Sequence, residues 1–265
     1  FRGFGSPQVH FAAECQMDEL AKKLDMDPLD LRLKNILRPG TQTATSQLLD
    51  ESCGLEECAI RTTEASNWRS KRVEFGRDRG VFRRGIGIAL MYHGNSLGPE
   101  GNDYAAVHIL VKPDAKVVVR TALTEYGTGA TSGLAQIAAE TLGLPIDLFE
   151  LDRPDTSLCQ ETGPTVASRV VTTGGRAAQL AAYKLREKIL SVAGDLLRCA
   201  PSQLTIRDAL IHRSDAPRQS ITFQRVVEEC HKRHVSLTET GFCSAPKCEF
   251  DPENSQGTTY QQYTY

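Results

Sequence analysis

Apolar positions along the chain change their spacing near residue 84. Before it, they recur at helical spacing and predict helices over about 6–24, 28–37 and 53–75, with Ser6 and Asp27 as N-caps. After it, short β-branched or alternating runs predict strands over 85–92, 105–111, 116–120, 146–151, 235–242 and 258–265, and a hairpin over 204–211. Three further helices are predicted among these strands, over about 130–142, 174–197 and 223–233.

This mixture of elements predicts the fold class and its division. Because hairpins alternate irregularly with helices, we predict an α+β fold with mixed sheets and layered helices, not a doubly wound parallel sheet. The change of spacing also predicts a mainly helical region over residues 1–80 and an α+β region over residues 81–265.

A glycine-rich turn is predicted between the strand ending at Arg120 and the helix that follows. Gly127 and Gly129 flank Thr128, and Gly143 ends the helix. Such a turn presents free backbone N–H groups at the positive end of a helix, which suits phosphate or another anion. The pattern is neither the dinucleotide fingerprint nor a P-loop, and paired glycines also occur where a chain only changes direction. Both readings stay open on this motif alone.

Two further loops rich in small residues lead into helices. Residues 1–8, FRGFGSPQ, place Arg2 beside a predicted helix start, where a cation improves an anion site. Residues 156–168, TSLCQETGPTVAS, offer the hydroxyl and backbone groups of a polar pocket, and precede a long Ala-rich helix. Either loop is equally consistent with an ordinary capped turn or surface connection. Together, three such loops predict a phosphate-bearing cofactor or another ligand with many hydrogen bonds.

Composition and charge exclude some classes of function. The net charge of −2 argues against a general nucleic-acid surface, and no run of about eighteen apolar residues predicts a membrane span. No signal peptide is visible at the start. The chain opens on Phe1 without an initiator Met and closes within a strand-like run, so we expect a piece of a longer protein.

The eight cysteines leave one alternative open. Cys53 and Cys58, and Cys243 and Cys248, form two pairs that could in principle hold zinc, although no His lies near either pair. Scattered reduced cysteines in a cytoplasmic protein are the simpler interpretation. The six His residues have no metal-ligand spacing, and no catalytic constellation is visible from the residues alone.

Three motifs carry a resemblance to a known family. FRGFGSPQ resembles the R-G-F-G-x-P-Q segment of the molybdenum hydroxylases, the xanthine dehydrogenase and aldehyde oxidase family. Residues 125–129, EYGTG, resemble the family's E-x-G-Q-G loop, and residues 162–168, TGPTVAS, resemble its P-T-x-A-S loop. The three motifs occur in the family's order, and the resemblance covers nearly the whole chain.

The resemblance implies a molybdopterin-binding region of a large subunit, with a mainly helical lead-in followed by α+β subdomains. Such enzymes hydroxylate an N-heterocycle, for example a purine, or an aldehyde. Electrons then leave through iron–sulfur clusters and FAD on partner domains or subunits. The pterin can carry a cytosine dinucleotide, and the complex is expected to be a hetero- or homo-oligomer. By itself the fragment is expected to be inactive.

The resemblance also implies roles for individual residues. It places Phe4, Val166 and Ala167 at the substrate, with Phe4 as an aromatic that stacks on a flat ring. It places Arg2 and Ala167 near the molybdenum. The residues that it implies for cofactor binding are Arg2, Gly3, Gly127, Thr128, Gly129, Thr165 and Ser168.

Two departures from the family pattern matter. Thr128 stands where the family usually has Gln, so a hydroxyl replaces an amide pair. No segment matches the family's G-x-G-E type motif with the catalytic glutamate, so no catalytic residue is assigned, and neither Glu125 nor Glu161 takes that role. The alternative is a non-catalytic ligand-binding or interaction domain whose glycine-rich loops are purely structural.

Overall fold

The computed structural model describes residue 3, residues 5–50 and residues 52–265. Over these residues the helices are α1 (Ser6–Lys23), α2 (Pro28–Asn35), α3 (Leu55–Ala65), α4 (Trp68–Phe75), α5 (Ala130–Leu142), α6 (Gly175–Leu197) and α7 (Phe223–Lys232). A π-helical segment, Val170–Gly174, runs directly into α6. No helix in this part of the chain is long and apolar enough to cross a lipid bilayer.

The strands form five small sheets within the same residues. In chain order they are β1 (Thr41–Gln42), β2 (Leu48–Leu49), β3 (His93–Gly94), β4 (Tyr104–Val111), β5 (Val117–Arg120), β6 (Phe149–Leu151), β7 (Leu204–Arg207), β8 (Leu210–Arg213), β9 (Ser220–Thr222), β10 (Thr238–Ser244), β11 (Phe250–Asp251), β12 (Gln256–Gly257) and β13 (Tyr263–Thr264). The largest sheet has the order β10-β4-β5-β6, in which only β5 and β6 run parallel. Helices and mixed sheets together confirm the predicted α+β class.

The chain forms two compact units, Phe1–Pro99 with Cys248–Tyr265, and Glu100–Lys247. The division predicted at residues 1–80 and 81–265 stays a prediction, because it rests on the spacing of apolar residues, whereas these units are defined by compactness. The first unit packs α2, α3 and α4 around Leu29, Leu55 and Trp68. Its buried cation is Arg32, whose guanidinium donates to Glu14 and Asp18, each at 2.8 Å. The Asp27 carboxylate caps α2 at Leu29, as predicted.

The second unit places α5 and α6 against one face of the four-stranded sheet. Val107, Ile109, Val117 and Val119 point into this core because alternate residues of a strand share a face. Helix α6 lies directly on β10, and a Cβ added at Gly241 would fall 1.8 Å from the Ala177 carbonyl oxygen. Only glycine permits this approach, which brings the start of α6 close to the sheet.

Several predicted elements differ from the structure. Gly5, with a φ of 100°, caps α1 in place of Ser6. The helix predicted over 53–75 is two helices, because Asn67 adopts a left-handed φ of 55° that breaks the hydrogen-bond ladder. The final strand shortens to Tyr263–Thr264, and the strand predicted over 146–151 opens with a 3₁₀ turn. Residues 85–92 form no ladder with any described residue.

Candidate functional site

The glycine-rich turn before α5 is organised by the Glu125 carboxylate. It accepts hydrogen bonds from the backbone N–H groups of Thr128, Gly129 and Thr131, at 2.5, 3.0 and 3.0 Å. It also accepts from the hydroxyls of Thr128 and Thr131, each at 3.1 Å. These donors, the Thr131 N–H first, lower the pKa of Glu125 to about 2. The carboxylate is therefore ionised throughout the neutral range.

This arrangement changes what the turn can bind. We predicted free N–H groups at the start of α5, but three of them already serve Glu125, because a carboxylate six residues upstream can reach the positive helix end. The Thr128 hydroxyl also donates to Glu125. Because its hydrogen is used there, this hydroxyl can only accept a hydrogen bond from a ligand. Gly127 has a φ of 90°, and its N–H makes no hydrogen bond to a described residue. It is one of the backbone donors that the turn leaves available.

In chain order, residues 1–8 form the first of the three predicted loops, the glycine-rich turn over residues 124–129 the second and residues 156–168 the third. The second and third loops are joined by one hydrogen bond. The backbone N–H of Thr124 donates to the Thr165 hydroxyl at 2.8 Å, across forty-one positions of sequence. Thr124 directly precedes Glu125, and Thr165 directly precedes Val166. The structure therefore brings together two loops that were matched to the family separately.

Arg169 anchors the third loop through hydrogen bonds from its side chain. Its side chain is fully buried, and it donates to the Asp103 carboxylate at 2.7 Å and to the carbonyl oxygens of Thr162 and Pro164 at 2.6 and 2.8 Å. A further bond joins it to the Tyr104 carbonyl oxygen. The planar guanidinium satisfies these acceptors from one point, which fixes the backbone of 162–164 relative to β4.

Two consecutive residues of the third loop adopt left-handed backbone conformations. Ala167 has a φ of 50° and Ser168 a φ of 60°. A hydrogen bond from the Arg169 N–H to the Val166 carbonyl oxygen, at 3.1 Å, closes the turn around them. The π-helical segment follows at once. Left-handed non-glycine residues and π-turns both concentrate at functional sites, and here they adjoin.

The loop before this turn is tied to the outer side of the sheet. Asp152 forms an ion pair with Arg120 of β5, and Glu161 accepts a hydrogen bond from the Tyr104 hydroxyl of β4. The Tyr104 hydroxyl is the first cause that lowers the pKa of Glu161, and burial of the residue opposes it weakly. Glu161 thus anchors the third loop to β4.

The predicted site residues fall into three groups. Thr165, Val166, Ala167 and Ser168 lie on the third loop, and Gly127, Thr128 and Gly129 on the second, so one unit contains both sets. Gly3 lies before α1 in the other unit, with a φ of 84°. Arg2 and Phe4 lie outside the described residues.

Two residues that shape these loops, Arg169 and Asp103, were not among the predicted site residues. Arg169 was overlooked because it follows the matched motif by one position, and Asp103 because it lies in an unremarkable loop. Asp103 also accepts a hydrogen bond from the Thr173 hydroxyl at 3.2 Å. The available signal was an arginine between a small-residue loop and an apolar helix start. A charge there needs a buried partner.

The described residues contain no cluster of three or more His, Cys, Asp or Glu side chains that could hold a metal ion. All eight cysteines are unbridged. The two loops nevertheless fit a hydrogen-bonding cofactor. A Cβ added at Gly127 or Gly129 would meet no atom within 4 Å, so the backbone of this turn is approachable. In the third loop, the buried Thr162 hydroxyl has no hydrogen-bond partner among the described residues.

Comparison with known proteins gives a family. The profile of a molybdopterin cofactor-binding domain matches residues 61–265, and a second profile of the same description matches residues 1–36. The xanthine dehydrogenase molybdenum-binding subunit of Escherichia coli O157:H7 is 32% identical over 224 residues, covering 83% of this chain and 30% of that protein. The xanthine dehydrogenase of Drosophila pseudoobscura pseudoobscura is 30% identical over 268 residues, covering the whole chain and 18% of that protein.

A solved structure agrees with these relatives. The aldehyde oxidoreductase from Desulfovibrio desulfuricans is 26% identical with a TM-score of 0.69, and the match covers 99% of this chain and 26% of that one. The chain thus spans less than a third of each of these proteins. The profile that matches 61–265 includes both loops joined by Thr124 and Thr165. The chain belongs to the molybdopterin cofactor-binding domain family.

Proposed function

We propose that this chain is part of the molybdenum-binding subunit of a hydroxylase of the xanthine dehydrogenase and aldehyde oxidase type. The observation that carries the proposal is the hydrogen bond between the Thr124 N–H and the Thr165 hydroxyl. It joins two loops that resemble separate cofactor-binding motifs of this family, and it does so within one compact unit.

In this proposal the second loop binds through its backbone. The Gly127 N–H and the approachable backbone at Gly129 contact the molybdopterin, and the Thr128 hydroxyl accepts a hydrogen bond. Glu125 does not touch the cofactor, because its carboxylate is occupied by five donors of its own turn. It holds the turn in the shape that the cofactor meets, and its negative charge there disfavours a close phosphate group.

The third loop completes the proposed site. Thr165 and Ser168 contact the pterin, Ala167 leaves room beside the molybdenum, and Val166, about 40% exposed, presents an apolar surface to the substrate. Gly3 and Arg2 help to bind the cofactor, with Arg2 near the molybdenum, and Phe4 stacks on the substrate ring. The bound molybdenum centre supplies the oxidation and the transfer of a water-derived oxygen.

The substrate class is an N-heterocycle, for example a purine, or an aldehyde. The relatives are named for both kinds of reaction. Iron–sulfur and FAD domains or subunits receive the electrons, the cofactor can carry a cytosine dinucleotide, and the complex is cytoplasmic and oligomeric.

The test uses the full parent subunit with its partner subunits. We expect stoichiometric molybdenum, and reduction of an artificial dye with hypoxanthine, nicotinate or an aromatic aldehyde. Thr165→Val removes the hydrogen bond between the loops. A bond of this kind contributes about 0.5–1.5 kcal/mol, so cofactor retention should weaken by up to about tenfold.

The matched control is Thr205→Val, which removes the hydroxyl bonded to Ser214 in the β7–β8 hairpin. It should retain wild-type molybdenum. Phe4→Ala should keep molybdenum but lose turnover of a heterocycle. A wild-type parent without molybdenum and without turnover would overturn the proposal in favour of a non-catalytic binding domain.

A further inference from the structure

Residues 85–92 have the burial pattern of a β-strand, but no strand among the described residues lies beside them. Burial alternates at every position, with Gly85, Gly87, Ala89 and Met91 exposed and the residues between them partly buried. Ile86, Ile88 and Leu90 pack against the core around Leu29 and Trp68. None of the eight residues has a positive φ. A period of two with negative φ is the mark of an extended strand.

The backbone of this segment makes few hydrogen bonds to other described residues. No backbone–backbone hydrogen bond joins residues 85–92 to any described residue. The Leu90 N–H is used, since it donates to the Glu14 carboxylate at 2.8 Å. Consecutive residues of a strand point their N–H and C=O groups to opposite edges, so Glu14 lies at the edge served by Ile86, Ile88 and Leu90. The edge formed by the N–H and C=O groups of Gly87, Ala89 and Met91 is open with respect to the residues that the structure describes.

The open edge continues one that is already paired. Strand β3 follows directly, and its partner is β13, with His93 opposite Thr264 and Gly94 opposite Tyr263. The Asn95 N–H donates to the Gln262 carbonyl oxygen at 3.0 Å. Asn95 and His93 have the same parity as Met91, Ala89 and Gly87. Strand β13 therefore lies along the same edge that is open further upstream.

The side chains keep the same register. Tyr92 and Tyr263 meet edge to face with ring centroids 5.3 Å apart, as diagonal neighbours across an antiparallel pair do. Tyr265 packs against the same core as Ile88 and Leu90. Tyr92, Tyr263 and Tyr265 thus share the inward face, and the pleat continues without a bulge from Gly94 back to Tyr92.

We infer that β13 continues past Tyr265 in the parent polypeptide and pairs antiparallel with residues 85–92. In the register of β3 and β13, the first, third and fifth residues after Tyr265 exchange backbone hydrogen bonds with Met91, Ala89 and Gly87. The second, fourth and sixth lie opposite Leu90, Ile88 and Ile86 on the core side. A repeating row of backbone donors and acceptors is a template for pairing with a further strand.

The outward face of residues 85–92 is uncovered among the described residues. A Cβ added at Gly85 or Gly87 would meet no atom within 4 Å. The outward face also carries Ala89 and Met91, and all four residues are exposed. This chain spans only 30% of the Escherichia coli protein, so a parent polypeptide of that length has room for an added strand.

The first test is the coding sequence of the parent. The second, fourth and sixth residues after Tyr265 should be apolar, and none of the first six should be proline, because each position here either packs inward or exchanges a hydrogen bond. Charged residues at two of the three inward positions would overturn the inference.

The second test is residue-resolved hydrogen exchange on the parent subunit. The amides of Gly87, Ala89 and Met91 should exchange at least about 100-fold more slowly than unprotected amides, while those of Ile86 and Ile88 exchange faster. Protection by general burial would not alternate. Equal, rapid exchange at all five amides would refute the added strand.

Substitutions at Ala89 separate pairing from misfolding. Ala89→Pro removes one donor of the open edge, so protection at Gly87 and Met91 should fall at least tenfold. Ala89→Val keeps the N–H and suits a strand, so it should exchange as the wild type does. Equal protection in the two variants would contradict the proposed pairing. Neither readout uses the cofactor, so the result is independent of molybdenum content.

Discussion

Replacing Arg169 with Met should strongly destabilise the second unit. The substitution keeps an unbranched side chain in the cavity but removes a guanidinium that is fully buried. The Asp103 carboxylate, with 6% of its side chain exposed, would lose its cation. The carbonyl oxygens of Thr162, Pro164 and Tyr104 would lose a donor at the same time.

The magnitude follows from breaking a buried ion pair on one side. Removing one partner leaves an uncompensated buried charge, which costs about 3–5 kcal/mol of the free energy of unfolding. For a unit of this size, that lowers the melting temperature by roughly 6–20 °C. Arg169→Lys should fall between the wild type and Met, because an ammonium keeps the charge but cannot span the same acceptors.

The assay is thermal unfolding followed by circular dichroism, together with molybdenum content of the parent complex. The matched control is Arg225→Met, which removes an exposed ion pair with Glu228 in the same unit. Its melting temperature should stay almost unchanged. If Arg169→Met and Arg225→Met have the same melting temperature, the assignment of Arg169 as the anchor of the third loop is wrong.

Two further predictions concern the turn at α5. Because hydrogen bonding lowers the pKa of Glu125 to about 2, its stabilising contribution should be complete above about pH 4.5 and vanish as the pH falls through 2. In the wild type, protection of the Thr131 amide against hydrogen exchange should be lost over the same pH range, because this amide donates to the Glu125 carboxylate. In Glu125→Gln, protection of the Thr131 amide should not change over that range. Gly143→Ala should destabilise more than Gly127→Ala when compared by urea unfolding, although both glycines have a left-handed φ. Both lose about 1–2 kcal/mol to backbone strain, but a Cβ at Gly143 also falls 2.2 Å from the Ile206 carbonyl oxygen, so equal midpoints would refute the reasoning.

Local patterns in the sequence predicted the elements that local physics controls. The Asp27 cap, the helix ending at Gly143 and the cap at Thr222 depend on residues within a few positions, and the structure confirms them. The hairpin of β4 and β5 was likewise predicted from β-branched runs around a turn. The break at Asn67 was missed, because helix propensity did not oppose a continuous helix there.

Three sequence motifs predicted the family without any tertiary information. They placed three loops in the family's order, and the profile matches confirm the family. The roles of individual residues on those loops stay predictions. The cytosine dinucleotide and the partner subunits also stay predictions, since the chain spans only part of its relatives.

Tertiary structure alone decided how the loops are held. Sequence order separates Thr124 from Thr165 and Asp103 from Arg169, and only the packing of the sheet against α6 brings each pair together. The contacts of Glu125 are local by comparison, because the turn folds its carboxylate back onto N–H groups three to six residues ahead. Local patterns indicate where most helices begin, but Arg169 reaches Asp103 only through the fold.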